Sequence, residues 1–92
     1  MLKPETLAFI RRCAREFDVR SIYLFGSAAK DEEAAGDIDL GVEGIDPSRF
    51  FDFYDRLYFG LSKPLDLINL AEDLPVVALI QETGIRIYER TA

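Results

Sequence analysis

Three aspartates occupy positions from which their side chains could hold a divalent cation. Two of them, Asp37 and Asp39, alternate with the apolar Ile38 and Leu40. On a strand, residues two apart point to the same face, so the two carboxylates would project together while their apolar neighbours face a core. Adjacent carboxylates repel each other and raise each other's pKa unless a cation lies between them. An exposed strand face with two solvated acids would give the same pattern.

The third acid, Asp66, interrupts the apolar segment 65–70. Burying a carboxylate in such a segment is costly unless something compensates its charge. A neighbouring strand could bring Asp66 beside the first pair and complete a three-carboxylate site able to hold two metal ions. An aspartate at a strand edge that points to water is the alternative.

The composition leaves oxygen atoms as the ligands for any metal. The 92-residue sequence has no histidine and one cysteine, which excludes a histidine general base, an intrachain disulfide and the usual zinc sites. Cys13 falls in a helical apolar pattern and is predicted to be a buried small side chain rather than a nucleophile. Carboxylates are best suited to hard ions such as Mg²⁺ or Mn²⁺.

A glycine and a serine precede the aspartates at a bend in the chain. Gly26 and Ser27 fall where a β-type segment passes into a short helical turn over residues 27–30. Glycine lets a phosphate approach the backbone closely, and the N–H groups of the turn and the Ser27 hydroxyl can donate to phosphate oxygens. Lys30 either reaches the same phosphates or is an ordinary surface lysine. A phosphate cradle beside carboxylates is what metal-assisted attack on a nucleoside triphosphate requires.

These residues must be positioned by alternating helices and strands. Helical spacing of apolar residues predicts helices over residues 4–17, from Pro47 to a stop before Pro64, and from Pro75 to a cap at Gly84. Runs of β-branched and aromatic residues predict strands over residues 19–25, 37–43, 65–70 and 85–88. The alternation predicts one α/β domain over residues 1–92, a small sheet covered by helices.

Two surface features have two interpretations each. Phe51, Tyr58 and Phe59 lie off the core-facing stripe of the second helix and are either loosely patterned core positions or an exposed patch for a partner. Glu43 shares a strand face with Asp37 and Asp39, and it either lies at the far edge of the site or is a surface acid.

The charge and hydropathy of the chain indicate its surroundings. A net charge of −6 argues against direct nucleic-acid binding, which needs basic surface, and fits a basic protein partner. The sequence has no apolar run near the ~20 residues of a membrane span, and it does not begin with a secretory signal. We therefore expect a cytoplasmic protein without membrane contact.

The spacing of these motifs resembles that of a known superfamily. Gly26-Ser27, nine further residues and then Asp37-Ile38-Asp39-Leu40 resemble the signature of DNA polymerase beta-type nucleotidyltransferases. The short chain, its Lys63-Pro64-Leu65-Asp66-Leu67 segment and its ending resemble the minimal nucleotidyltransferase (MNT) branch. This resemblance implies a mixed sheet, with Asp37, Asp39 and Asp66 as Mg²⁺ ligands and catalytic residues. It also implies that Gly26 and Ser27 hold the triphosphate of ATP.

The same resemblance implies a role. Members of this branch commonly act as antitoxins in complexes with an all-helical HEPN-type ribonuclease toxin, and some transfer AMP from ATP to that toxin. The family often has Ala-Arg-Gly after Gly-Ser-x and a serine before the first aspartate, where this chain has Ala29-Lys30-Asp31 and Gly36. A second function therefore stays open, namely a binding module that keeps the fold and neutralises its partner by contact alone.

Overall fold

The computed structural model describes residues 2–91, and its elements follow the predicted order. The helices are α1 (Pro4–Glu16), α2 (Phe50–Gly60) and α3 (Pro75–Thr83). The strands are β1 (Ser21–Phe25), β2 (Ile38–Glu43), β3 (Leu65–Asn69) and β4 (Ile85–Glu89). Short 3₁₀ turns cover Ser27–Ala29 and Pro47–Arg49.

The boundaries differ from the predictions by at most two residues, apart from α2, which begins three residues after Pro47 and ends at Gly60, four residues before Pro64. β1 begins two residues later than predicted because the chain turns at Asp18, whose φ is 52°. Aspartate is one of the few non-glycine residues that tolerate this conformation. α2 begins after the turn Pro47–Arg49, where the Asp46 carboxylate accepts from the Ser48 N–H at 2.9 Å. Asp46 is thus the N-cap of this 3₁₀ turn and not of α2 itself.

The four strands form one mixed sheet in the order β3-β2-β1-β4. β1 is antiparallel to both of its neighbours, whereas β2 and β3 run parallel. A parallel pair needs a crossover connection, and α2 lies within the one that joins β2 to β3. In consequence β1 ends at the same edge of the sheet where β2 and β3 begin, and we call this the site edge.

Helices pack on both faces of the sheet. On one face, buried side chains of α1 and α2 form the main core with alternate residues of the strands, among them Ile10, Ile22, Leu40, Phe53 and Leu57. On the other face, α3 packs through Val77 and Ile80 in a smaller cluster. Ile38 and Leu40 are both buried in the main core, as the sequence predicts, so the side chains between them face the α3 side.

The lone cysteine is a core residue. Cys13 is fully buried in the main cluster and is not in a disulfide. Burial raises the pKa of its thiol, which keeps it protonated and unreactive. The prediction of a small buried side chain at this position is confirmed.

Within residues 2–91, no helix combines the length and the apolar content that crossing a membrane requires.

Candidate functional site

Asp39 lies at the centre of the site edge. The sheet register pairs it with Phe25 at the end of β1 and with Asp66 at the start of β3. Residues paired across neighbouring strands point their side chains to the same face of the sheet. Asp39 and Asp66 therefore lie side by side on parallel strands, on the face that α3 covers further along. Asp37 precedes β2 directly, so all three predicted acids lie at one edge.

Gly26 lies directly against the Asp39 side chain. It follows β1 with φ +74°, a conformation that side chains with a Cβ rarely adopt. A Cβ built at Gly26 would overlap Oδ2 of Asp39 and lie 3.0 Å from its Cγ. Two features thus require glycine at position 26: the positive φ of its backbone and the Asp39 carboxylate that lies against it. The glycine turn and Asp39, which the sequence predicts from separate motifs, are therefore in direct contact.

The electrostatics of the site are those of crowded carboxylates. Asp39 is half-buried, whereas Asp37 and Asp66 are exposed. Burial raises the pKa of the Asp39 carboxyl above its ordinary value, and the negative charges of Asp37 and then Asp66 raise it further. The protein therefore holds Asp39 where a negative charge is disfavoured unless a cation lies nearby.

The donor set fits a hard divalent cation. The acids at the site edge offer oxygen atoms alone, the ligands that Mg²⁺ and Mn²⁺ prefer. Among residues 2–91, no three side chains of histidine, cysteine, aspartate or glutamate are already gathered closely enough to hold a metal ion. Asp37 and Asp66 are exposed, so a rotation about χ1 suffices to move either carboxylate. The assignment of these acids as metal ligands stays a prediction.

The remaining predicted site residues lie on the turn after Gly26. Ser27 and Lys30 are both exposed there. The turn is closed by hydrogen bonds from the Ala29 N–H to the Gly26 carbonyl at 3.3 Å and from the Lys30 N–H to the Ser27 carbonyl at 3.1 Å. The N–H groups of Ser27 and Ala28 open the turn, the position from which a helical segment donates outward. Their role in phosphate binding also stays a prediction.

The segment between this turn and Asp37 contains residues that the sequence did not single out. Three of the six residues 31–36 are acidic, a composition typical of a solvated loop, yet Glu32 is buried, with 4% of its surface exposed. Its carboxylate accepts from the Lys3 N–H at 2.7 Å and from Thr6 Oγ1 at 3.0 Å. The Lys63 ammonium donates to three backbone carbonyls of the same segment. No local sequence pattern predicts these contacts, because the partners are 26–31 residues apart in the sequence.

Glu43 lies away from the site edge. Its Oε1 accepts from the Ser21 hydroxyl at 2.6 Å, and Ser21 opens β1 at the opposite end of the sheet from Gly26. The suggestion that Glu43 lies at the edge of the site is therefore wrong. Strand alternation places Glu43 on the same face of the sheet as Asp39, but Glu43 lies four positions further along β2, at the other end of the strand.

A mixed sheet that joins a glycine turn to aspartates on two parallel strands defines a nucleotidyltransferase-type fold. The family described as "Polymerase beta, Nucleotidyltransferase" matches residues 9–92. The chain belongs to this family. No curated protein matches the sequence significantly.

Solved structures of toxin–antitoxin systems share the fold. One, a toxin–antitoxin with AMP-PNP, aligns with a TM-score of 0.74 at 23% identity, over 92% of this chain and 74% of the other. Another is the tri-AMPylated Shewanella oneidensis HEPN toxin in complex with MNT antitoxin, with a TM-score of 0.73 at 21% identity, over 97% and 74%. The toxin–antitoxin MntA-HepT gives 0.72 at 21% identity, over 96% and 74%. At these identities the likeness establishes the fold alone.

Proposed function

We propose that this chain is a nucleotidyltransferase-type antitoxin that transfers AMP from ATP to a HEPN-type ribonuclease toxin and so neutralises it. The observation that carries the proposal is the position of Asp39, which pairs with Asp66 in the register of β2 and β3 and lies directly against the backbone of Gly26. Family membership supports the class of reaction. The similar fold of an MNT antitoxin complexed with an AMPylated HEPN toxin supports the acceptor.

Each residue of the site has a part in this reaction. Gly26 leaves the backbone open to the triphosphate, and Ser27 donates its hydroxyl to a phosphate oxygen. Lys30, exposed one turn further on, supplies a positive charge to the same phosphates. These contacts hold the α-phosphorus in line with the attacking hydroxyl, and such orientation accounts for much of the catalysis of phosphoryl-type transfers.

The acids hold the cation. Asp37, Asp39 and Asp66 would bind Mg²⁺, which when bound offsets the charge of the triphosphate and lowers the pKa of the attacking hydroxyl. The crowding that raises the Asp39 pKa supports this role, since a cation between carboxylates turns their repulsion into attraction. The oxygen of the acceptor hydroxyl bonds to the α-phosphorus as the bond from that phosphorus to the oxygen bridging it to the β-phosphorus breaks. The hydroxyl proton is released to water, and pyrophosphate leaves.

The chain offers its protein partner an apolar and acidic surface. Phe51 and Phe59 on α2 are 77% and 83% exposed, and exposed aromatic side chains are typical of protein contacts. Asp52 and Asp55 lie exposed on the same helix. Together with the net charge of −6, this surface suits a partner with basic and apolar side chains. We propose that the toxin binds here and forms an oligomeric complex with the chain.

Labelled ATP tests the enzymatic function. The chain is incubated with Mg²⁺, ATP labelled at the α-phosphate and a HEPN-type ribonuclease encoded beside it, and label on the ribonuclease is measured. Loss of a group that merely supports a metal ligand lowers activity by about 10–100-fold, so removing a ligand itself in Asp39→Ala should cost at least about 100-fold. Asp73→Ala is the matched control, because Asp73 is an exposed acid beyond the far end of β3.

The binding-module function predicts a different result. Asp31 stands where the family often has glycine and adds negative charge close to the proposed triphosphate site, which favours a protein that acts by contact. In that case no label is transferred, and the complex with the ribonuclease forms equally well with Asp39→Ala. Label that disappears with Asp39→Ala and persists with Asp73→Ala excludes this second function.

A further inference from the structure

Lys63 connects the entries of the two strands that carry the acids. It precedes β3, three residues before Asp66. Its Nζ donates to the carbonyl of Ala35 at 2.8 Å and to that of Glu33 at 3.2 Å, and it also bonds the carbonyl of Glu32. These carbonyls belong to the segment 31–36 that leads directly into Asp37. One ammonium group therefore fastens the start of β3 to the segment before β2.

The neighbouring backbone continues this connection. The N–H of Ile38, the first residue of β2, donates to the carbonyl of Pro64 at 2.9 Å. Lys63 therefore binds the backbone just before Asp37, and the Pro64 carbonyl binds the backbone just after it. Hydrogen bonds from a charged donor are roughly twice as strong as neutral ones, and three of them converge on this half-buried ammonium.

The far side of the segment is fastened to α1. The buried Glu32 carboxylate accepts from the Lys3 N–H and the Thr6 hydroxyl at the start of the helix. A buried carboxylate is tolerated when such donors satisfy it. The segment 31–36 is thus held to the start of α1 by the Glu32 side chain and to Lys63 by its backbone carbonyls. It joins the Ser27–Ala29 turn to Asp37, so its geometry sets the distance between the proposed phosphate and metal positions.

We propose that Lys63 is a positioning residue, which fixes Asp37 and Asp66 at a set spacing around Asp39 so that together they bind a divalent cation with a nucleoside triphosphate. The inference rests on the proposed function. Its physical basis is that Lys63 bonds the segment directly before Asp37 and itself lies three residues before Asp66, so it sets the spacing between the two acids. Lys63 does this through the backbone and contacts none of the reacting atoms.

Binding of Mn²⁺ in the presence of ATP tests the role of Lys63 without the toxin. Free Mn²⁺ is followed by electron paramagnetic resonance in titrations of the unaltered chain, Lys63→Met and Lys63→Arg. Lys63→Met should weaken Mn²⁺ binding by about 10–100-fold, the usual effect of removing a group that orients metal ligands. Lys63→Arg should restore part of the affinity, since guanidinium also donates to several carbonyls.

Lys3→Met is the matched control. The Lys3 ammonium meets the same segment through an exposed ion pair with Glu33 at 3.4 Å, and such pairs contribute little. Its Mn²⁺ affinity should stay within about twofold of the unaltered chain's, that is, within about 0.4 kcal/mol. Thermal unfolding of each variant identifies the folded fraction, and Lys63→Gln replaces Lys63→Met if the latter does not fold.

The outcomes separate this inference from the proposed function. An unaltered chain that binds no Mn²⁺ with ATP removes the proposed function and this role with it. If the unaltered chain binds Mn²⁺ with ATP and folded Lys63→Met or Lys63→Gln binds it as tightly, the proposed function stands and the positioning role of Lys63 is overturned. If Lys3→Met weakens Mn²⁺ binding as much as the Lys63 variant does, the role is also overturned, because loss of any contact to the segment 31–36 would then have the same effect.

Discussion

At the scale of single residues, the site is assembled at a cost to the stability of the fold. Asp39 is half-buried and faces two other acids, and these conditions raise the pKa of its carboxyl. Groups arranged for binding rather than for stability are typical of functional sites. The residue therefore links two measurable quantities, the affinity for a cation and the stability of the cation-free chain.

Replacing this carboxylate should stabilise the chain and abolish metal binding together. Asp39→Asn removes a charge that Asp37 and Asp66 repel, so without divalent cations its melting temperature should exceed that of the unaltered chain at pH 7, while Mn²⁺ affinity falls. Scanning calorimetry in a chelator and a Mn²⁺ titration measure the two effects. A melting temperature that falls would show that Asp39 stabilises the fold through contacts that outweigh the repulsion.

The same pKa fixes the direction of a pH dependence. Because the folded-state pKa of Asp39 is raised, the folded chain binds this proton more tightly than the unfolded chain does. The stabilisation from the proton on Asp39 is complete below the ordinary aspartate pKa of about 3.9. It is lost as the pH rises through the raised pKa of Asp39 in the folded chain. The difference in unfolding free energy between Asp39→Asn and the unaltered chain should therefore grow with pH across that window. Denaturant unfolding of both at several pH values measures it, and a pH-independent difference would contradict the assigned shift.

Two glycines near the site should respond oppositely to alanine. At Gly26 a Cβ meets the Asp39 carboxylate and φ is +74°, so Gly26→Ala should destabilise by at least about 1–2 kcal/mol, the cost of the backbone conformation alone. At Gly36 a Cβ meets nothing within 4 Å, so Gly36→Ala should be neutral or stabilise by about 0.4–1 kcal/mol. Urea unfolding compares the pair. Equal effects would mean that Gly26 is not held against Asp39.

The residues of the site could be predicted to the extent that their chemistry is local. Asp37, Asp39 and Gly26 follow from strand alternation and a strand-to-turn transition within 14 residues of sequence. The roles of Lys63 and Glu32 could not be predicted, because their hydrogen-bond partners lie 26–31 residues away in the sequence. A lysine that bonds carbonyls has the same sequence pattern as one that faces water.

At the scale of elements, the helices and strands were predictable but their arrangement was not. Proline starts, apolar spacing and β-branched runs place each element to within a few residues. The sequence order does not reveal that β3 pairs with β2 in parallel, and that pairing is what brings Asp66 beside Asp39. Here the resemblance to a known family supplied the mixed sheet that spacing alone left open.

The exposed aromatic side chains of α2 give an element-scale prediction. The stripe that packs on the core includes Phe53 and Leu57, both fully buried, whereas Phe51 and Phe59 project into solvent. The double variant Phe51→Ser with Phe59→Ser should keep the melting temperature within about 3 °C while weakening the complex with the ribonuclease by about 100-fold or more, since aromatic anchors at interfaces each contribute roughly 2 kcal/mol. Calorimetric titration measures the affinity.

Leu79→Ser is the control for that surface. Leu79 is 57% exposed but belongs to α3, on the opposite face of the sheet, so it removes a comparable exposed apolar side chain from another surface. Its complex should form with unchanged affinity. A loss equal to that of the α2 double variant would place the partner on both faces or show a general effect of lower hydrophobicity.

At the scale of the whole molecule, the proposed site and the proposed contact surface lie on opposite faces of the sheet, and α2 ends at Gly60, near the site edge where β3 begins. The three aspartates lie at the edge where β1 ends, on the side of the sheet that α3 covers, whereas the exposed aromatic side chains lie on α2, across the sheet from α3. The main core between these regions holds both in one rigid frame, since its largest side chains are fully buried. A partner bound on α2 could thus present a flexible segment around the sheet to the site edge without disturbing the carboxylates.

The overall charge predicts how that partner arrives. A chain of net charge −6 should attract a basic protein over a distance set by the Debye length, about 10 Å at 0.1 M salt and about 3 Å at 1 M. The association rate should therefore fall roughly tenfold or more between 0.05 and 0.5 M NaCl, while the dissociation rate changes little. Stopped-flow mixing measures the association rate, and dilution of the complex measures the dissociation rate.

Two pairs of variants test whether the acids of α2 cause this salt dependence. Asp52→Asn with Asp55→Asn should reduce the salt dependence of the association rate, because both acids are exposed on the proposed contact helix. Glu72→Gln with Asp73→Asn removes the same charge from an exposed pair beyond β3 and should reduce it less. A rate that does not change with salt, or equal effects of the two pairs, would mean that the acids of α2 do not guide the encounter.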